Sequence, residues 1–118
     1  MSDKPVFWLG TSRDDVKAFP AEARRVAGFQ LRRVQRGLDP NDWKPMNDIG
    51  PGVREIRIQT GLQHRVFYEA KFPEAVYVLH AFEKRSRKTP KRESELARDR
   101  FRDLLVRRRA QRATKPQT

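Results

Sequence analysis

The stretch Val53-Arg-Glu-Ile-Arg-Ile-Gln-Thr-Gly-Leu-Gln-His-Arg-Val-Phe-Tyr68 alternates apolar and polar residues on both sides of Gly61. Period-two alternation interrupted by a glycine predicts a β-hairpin. Successive side chains of a strand point to opposite faces, so Ile56 and Ile58 face one way while Glu55 and Arg57 face the other. Burying the isoleucines leaves Arg57 on a rigid element, and Arg65 on the return strand adds a second cation. His64 has the opposite strand parity to Arg65 and is set aside.

After the hairpin, Lys71-Phe-Pro-Glu74 makes a turn. Ala75-Val-Tyr-Val-Leu-His-Ala-Phe-Glu-Lys84 follows, apolar almost throughout, as expected of a central strand covered on both faces. Upstream, Asp39 to Gly52 is dense in Pro, Gly, Asn and Asp, so it reads as a loop leading into the hairpin, with Trp43 and Met46 pinned against the domain. Val6-Phe-Trp-Leu9 is a short β-prone run. Thr11 and Ser12 then offer an N-cap to a short helix ending near Phe19, with Asp14 and Asp15 in its first turn. From Pro20, the residues Ala23, Val26, Ala27, Leu31 and Val34 recur at helical spacing, and Gly37 is the stop. Thr89-Pro90 opens a last helix with the stripe Leu96, Ala97, Phe101, Leu104 and Leu105. The predicted order is strand, helix, helix, three strands, helix: an α+β domain over residues 1–106, followed by a basic tail, 107–118, expected to be disordered.

At 118 residues the chain holds one modest core. A charge of +12 and a pI near 11.0 make a field that attracts polyanions, nucleic acid first among them. With no cysteine, disulfides, thiolate metal sites and a cysteine nucleophile are excluded, and a cytoplasmic setting is expected. The N-terminus has only a short apolar run, unlike a signal peptide, and no segment is long enough to span a bilayer. No membrane partner is expected, because the one strongly basic helix has a thin apolar stripe.

Four segments in this order resemble the RelE/HigB superfamily of bacterial toxins, in the phage-derived HigB-like branch often encoded beside a helix-turn-helix antitoxin. They are Phe19-Pro-Ala-Glu-Ala-Arg24, Met46-Asn-Asp-Ile-Gly-Pro-Gly-Val-Arg-Glu-Ile-Arg57, Arg65-Val-Phe-Tyr68 and Val76-Tyr-Val-Leu-His-Ala-Phe-Glu-Lys-Arg-Ser-Arg-Lys-Thr-Pro90, within residues 5–106. The resemblance implies a RelE-like microbial RNase fold: an N-terminal strand and helical hairpin on a small, mostly antiparallel sheet, with a C-terminal helix. It also implies an endoribonuclease of a type II toxin-antitoxin module that cuts mRNA in the ribosomal A site, and a HigA-like antitoxin as partner. Some relatives carry a catalytic tyrosine or histidine near the C-terminus; after Lys88 this chain has neither.

Metal-independent RNA cleavage needs a base for the 2′-OH, cations for the developing phosphorane charge and an acid for the 5′-oxygen. Arg57 and Arg65 suit the cation role, since a guanidinium stays charged and grips two phosphate oxygens. Lys84, ending the central strand, is a candidate to stabilise the transition state or protonate the leaving oxygen. His80, at even spacing from Lys84, and Glu55, on the face of Arg57, are the candidate bases, although a lone histidine in an apolar strand is more often a satisfied core residue and a glutamate so placed more often a salt-bridge partner within the hairpin. Arg54, Arg85, Arg87, Lys88 and Phe82 are candidate RNA contacts, the last by stacking. Tyr68 stacks or packs. No spacing of His, Asp or Glu suits a metal, and no glycine-rich phosphate loop follows a strand, so neither a metal nor a cofactor is expected. Two rivals share the composition: a non-catalytic RNA- or ribosome-binding protein, and a domain matched to an acidic protein surface.

Overall fold

A computed structural model describes residues 3–114. The strands are β1 (Val6–Trp8), β2 (Trp43–Pro45), β3 (Val53–Gln59), β4 (Gln63–Glu69) and β5 (Val76–Glu83), and the helices are α1 (Ser12–Lys17), α2 (Ala21–Gln35) and α3 (Lys91–Thr114). They build an α+β domain around one five-stranded sheet of order β1-β5-β4-β3-β2. Only β1, parallel to β5, departs from antiparallel pairing. This is the RelE-like arrangement that the sequence predicts.

Two apolar layers sandwich the sheet. On one face Ile56, Ile58, Val66, Tyr68, Val76 and Val78 meet Val16 of α1, Phe19 just after it, and Ala23, Ala27, Leu31 and Val34 of α2. On the other, Val53, Phe67, Tyr77, Leu79 and Phe82 meet Ala97, Phe101 and Leu104 of α3. Gly37 closes α2 at φ +83°, where a side chain would be strained. The loop expected over residues 39–52 contains β2, whose Lys44 and Glu55 are register partners.

One correction concerns the end of an element. Helix α3 continues to Thr114 rather than fraying from Arg107; Arg, Ala and Gln are good helix formers, and Arg108 anchors the extension. Its guanidinium binds both carboxylate oxygens of Glu74, at 2.7 and 3.2 Å, and lies 3.7 Å over the Phe72 ring. The last part of the expected tail, 115–118, lies outside the described residues. Strand β5 is irregular within its length. Phe67 pairs with His80, and the next residue, Tyr68, pairs with Val78, so Leu79 is an extra residue in a β-bulge. Cross-strand partners share a face, so the bulge moves His80, Phe82 and Lys84 to the Phe67 face, opposite Val76 and Val78.

Candidate active site

Alternation in β3 and β4 brings Glu55, Arg57 and Arg65 to the α3 side of the sheet, as the hairpin pattern predicts. Arg57 and Arg65 are direct cross-strand partners. Between them lies Glu55, 1% exposed, whose Oε1 is 3.2 Å from Arg57 Nε and 3.5 Å from Arg65 Nε. Its Oε2 is buried without a hydrogen-bond partner. Arg65 is further held by the His64 carbonyl and by Gln63 Oε1. A carboxylate thus aims two guanidiniums from beneath, leaving Arg57 half-buried and facing outward.

Lys84 joins this group where β5 ends. Its backbone N–H donates to the Gln63 carbonyl at 2.7 Å, which extends the β4–β5 ladder by one step. Burial pushes its pKa below the ordinary lysine value, and the positive charges of Arg65, Lys44 and Arg57 act in the same direction against the pull of Glu55. Lys44, half-buried directly opposite Glu55, is the member that sequence reasoning missed. The glycine- and proline-rich surroundings hid the short strand that places it. The result is a row of cations across three strands and the end of a fourth, over one buried carboxylate.

The remaining candidates lie elsewhere. His80 stands beyond Phe67 in the row that begins Lys44–Glu55, and both its ring nitrogens are occupied: Nε2 is 3.1 Å from Glu93, and Nδ1 is 3.1 Å from Arg100. Asp15 of α1 approaches the same ring at 3.9 Å. Phe82 is 9% exposed, stacked on His80 and edge-on to Phe67. Arg54 is on the opposite face, ion-paired with Asp39 at 2.8 Å and stacked over Trp43, so it does not join the cluster. Tyr68, 1% exposed, packs in the core on that face. Arg85, Arg87 and Lys88 lie on the exposed loop between β5 and α3, with Arg85 tied to Glu83. His64 faces the α1–α2 layer, its ring against Phe19, and burial lowers its pKa. Among the described residues no group of three His, Asp or Glu side chains has a metal-ligating arrangement.

A RelE-like α+β sheet bearing a cation cluster on the face that α3 leaves partly open defines a toxin-like domain. The family model for Phage derived protein Gp49-like (DUF891) matches residues 14–102, and the chain belongs to this toxin-like family of toxin-antitoxin modules. Membership implies an antitoxin partner in general. A search of curated proteins finds no match. Among the described residues no helix is long and apolar enough to cross a membrane.

Proposed function

We propose that the protein is a HigB-like toxin acting in the cytoplasm as a metal-independent endoribonuclease. It cleaves mRNA with the ribosome as positioning partner, and a helix-turn-helix antitoxin restrains it. One observation carries the reading: Lys44, Arg57, Arg65 and Lys84 converge around a single buried carboxylate in a toxin-like fold. Cations focused on one spot of a low-dielectric surface stabilise the charge that a pentacoordinate phosphate develops.

In the proposed reaction the 2′-oxygen bonds to phosphorus and the bond to the 5′-oxygen breaks, leaving a 2′,3′-cyclic phosphate and a 5′-hydroxyl. Arg57 and Arg65 hold the non-bridging oxygens. An incoming phosphate competes with Glu55 for these guanidiniums, and the carboxylate oxygen so released takes the 2′-OH proton. Lys84, with its lowered pKa, supplies the proton to the 5′-oxygen. His80, held on both nitrogens, orients α3 against β5 instead.

The test is induction in a bacterium with 5′-end mapping of transcripts, comparing wild type with Arg65→Ala and Lys84→Ala. New ends inside translated codons that vanish in both variants support the nuclease; unchanged growth and transcripts in all three strains refute it. The same RNA incubated with and without ribosomes tests the positioning role.

A further inference from the structure

Where β1 stops, the edge of β5 is uncovered, and a groove of about 360 Å³ runs there between α1 and the first turn of α3. Its lining sets three carboxylates against one cation, Arg92, an acidic balance in an otherwise basic protein. Asp15, Glu83 and Glu93 face it from three separate elements, with side chains 34%, 27% and 18% exposed. Asp15 Oδ2 accepts from Thr11 and Glu93 Oε2 meets His80, so in these two carboxylates the second oxygen lies outside these contacts, while Glu83 gives Oε2 to Arg85 and holds Oε1 3.9 Å from His64 Nε2. The stacked Phe82 and His80 rings form part of the wall. His64, 1% exposed, also lines the groove, and its Nδ1 has no hydrogen-bond partner.

The groove adjoins the cation cluster. Phe82 is the register partner of Arg65, so the groove begins one strand, about 5 Å of backbone spacing, from the strand that carries Arg65. A nucleotide bound there by its phosphate has its own base within reach of the groove. Single-stranded RNA is recognised in this manner, with a splayed base stacked on aromatic rings and its Watson–Crick edge hydrogen-bonded. Carboxylates accept from exocyclic amino groups and repel carbonyl oxygens.

We infer that this groove is a nucleobase pocket selecting bases whose Watson–Crick edges carry an amino group over uracil, whose edge has none, and that it sets the sequence preference of the cleavage. The inference rests on the RNA-cleavage reading above. Phe82 supplies a stacking surface, while Asp15, Glu83 and Glu93 receive the amino hydrogens.

The test is fluorescence anisotropy with labelled 2′-O-methyl oligonucleotides, oligo-C, oligo-A and oligo-U, which bind without being cleaved. Oligo-C and oligo-A should bind at least about fivefold tighter than oligo-U, the discrimination of one good base-edge contact. The double variant Asp15→Asn/Glu93→Gln, checked for folding by circular dichroism, should lose that ratio, because its amides offer donors to carbonyl oxygens as readily as acceptors to amines. Arg65→Ala should weaken all three oligonucleotides alike and keep the ratio. Equal wild-type affinities, or a ratio that survives in the double variant, overturn the pocket while leaving the cation cluster intact; they would turn the groove toward a cationic protein segment. Failure to bind any of the three overturns the pocket together with the RNA reading.

Discussion

Glu55 carries the greatest burden of any single residue, because it neutralises two guanidiniums in a site where it is itself desolvated. Removing one partner of a buried charged group leaves the others uncompensated, so Glu55→Ala should destabilise the fold by about 3–5 kcal/mol in urea unfolding. Glu55→Gln keeps the shape and the acceptor atom but not the basicity. It should lower the cleavage rate by about 10²–10⁴-fold, the usual contribution of a general base, with a smaller loss of stability. A Glu55→Gln protein that cleaves at the wild-type rate would assign Glu55 to scaffolding alone. Lys84 gives a second test. It must be protonated to act as an acid, and its pKa is depressed, so the alkaline fall in activity should begin below the ordinary lysine value. Lys84→Arg, which cannot deprotonate in this range, should retain transition-state stabilisation yet lose proton donation.

At the scale of elements, two glycines make opposite predictions. Gly28 lies exposed in the middle of α2 with nothing within 4 Å of an added Cβ, so Gly28→Ala should stabilise the protein by about 0.5–1 kcal/mol. Gly50 packs under α3, where a Cβ would lie 2.4 Å from the Phe101 ring. That ring is fixed in the core, and Gly50→Ala should cost about 1–3 kcal/mol. Thermal melts of both variants beside wild type would decide each case.

The contrast between β3 and β5 shows what the chain reveals before it folds. Hairpin face assignments follow from local parity, so Glu55, Arg57 and Arg65 were legible together, and the same parity, applied to Arg54, would have set it on the opposite face from them. The bulge at Leu79 arises from the register between two strands and leaves no trace in either one alone. The shared face of His80 and Lys84 was legible, but its relation to Arg65 was not. Lys44 was hidden for another reason: three residues of strand inside a turn-rich segment are defined by their partner β3 rather than by their own composition. The network of Asp15, Glu93 and Arg100 around His80 joins three elements far apart in sequence, and only the packing of α1 and α3 against β5 assembles it.

At the scale of the molecule, α3 is fastened at both ends, by His80 near its start and by Glu74 near its finish. The Arg108 hydrogen bonds hold the Glu74 carboxyl at about 2, well below its ordinary value of 4.5. A depressed carboxyl pKa contributes stability above the unfolded value and loses it as pH falls through the folded one. Wild type should therefore melt above Glu74→Gln at neutral pH, and the gap should close between about 4.5 and about 2. Circular dichroism melts across that range measure it, and a gap independent of pH would contradict the linkage.

The pairing of β1 with β5 has a consequence for how the molecule comes into being. Val6 finds its partner only in Val76, so a chain emerging from a ribosome must hold its first strand unpaired until β5, some seventy residues later, has been made. Throughout that interval Phe7 and Trp8 lack their sheet neighbours. The hairpin of β3 and β4 can close early, by contacts near in sequence, but the fourth cation arrives only with Lys84. Nascent chains therefore carry most of the cluster before they carry the surface that completes it, and the late closure of the sheet delays assembly of the site until β5 has been made.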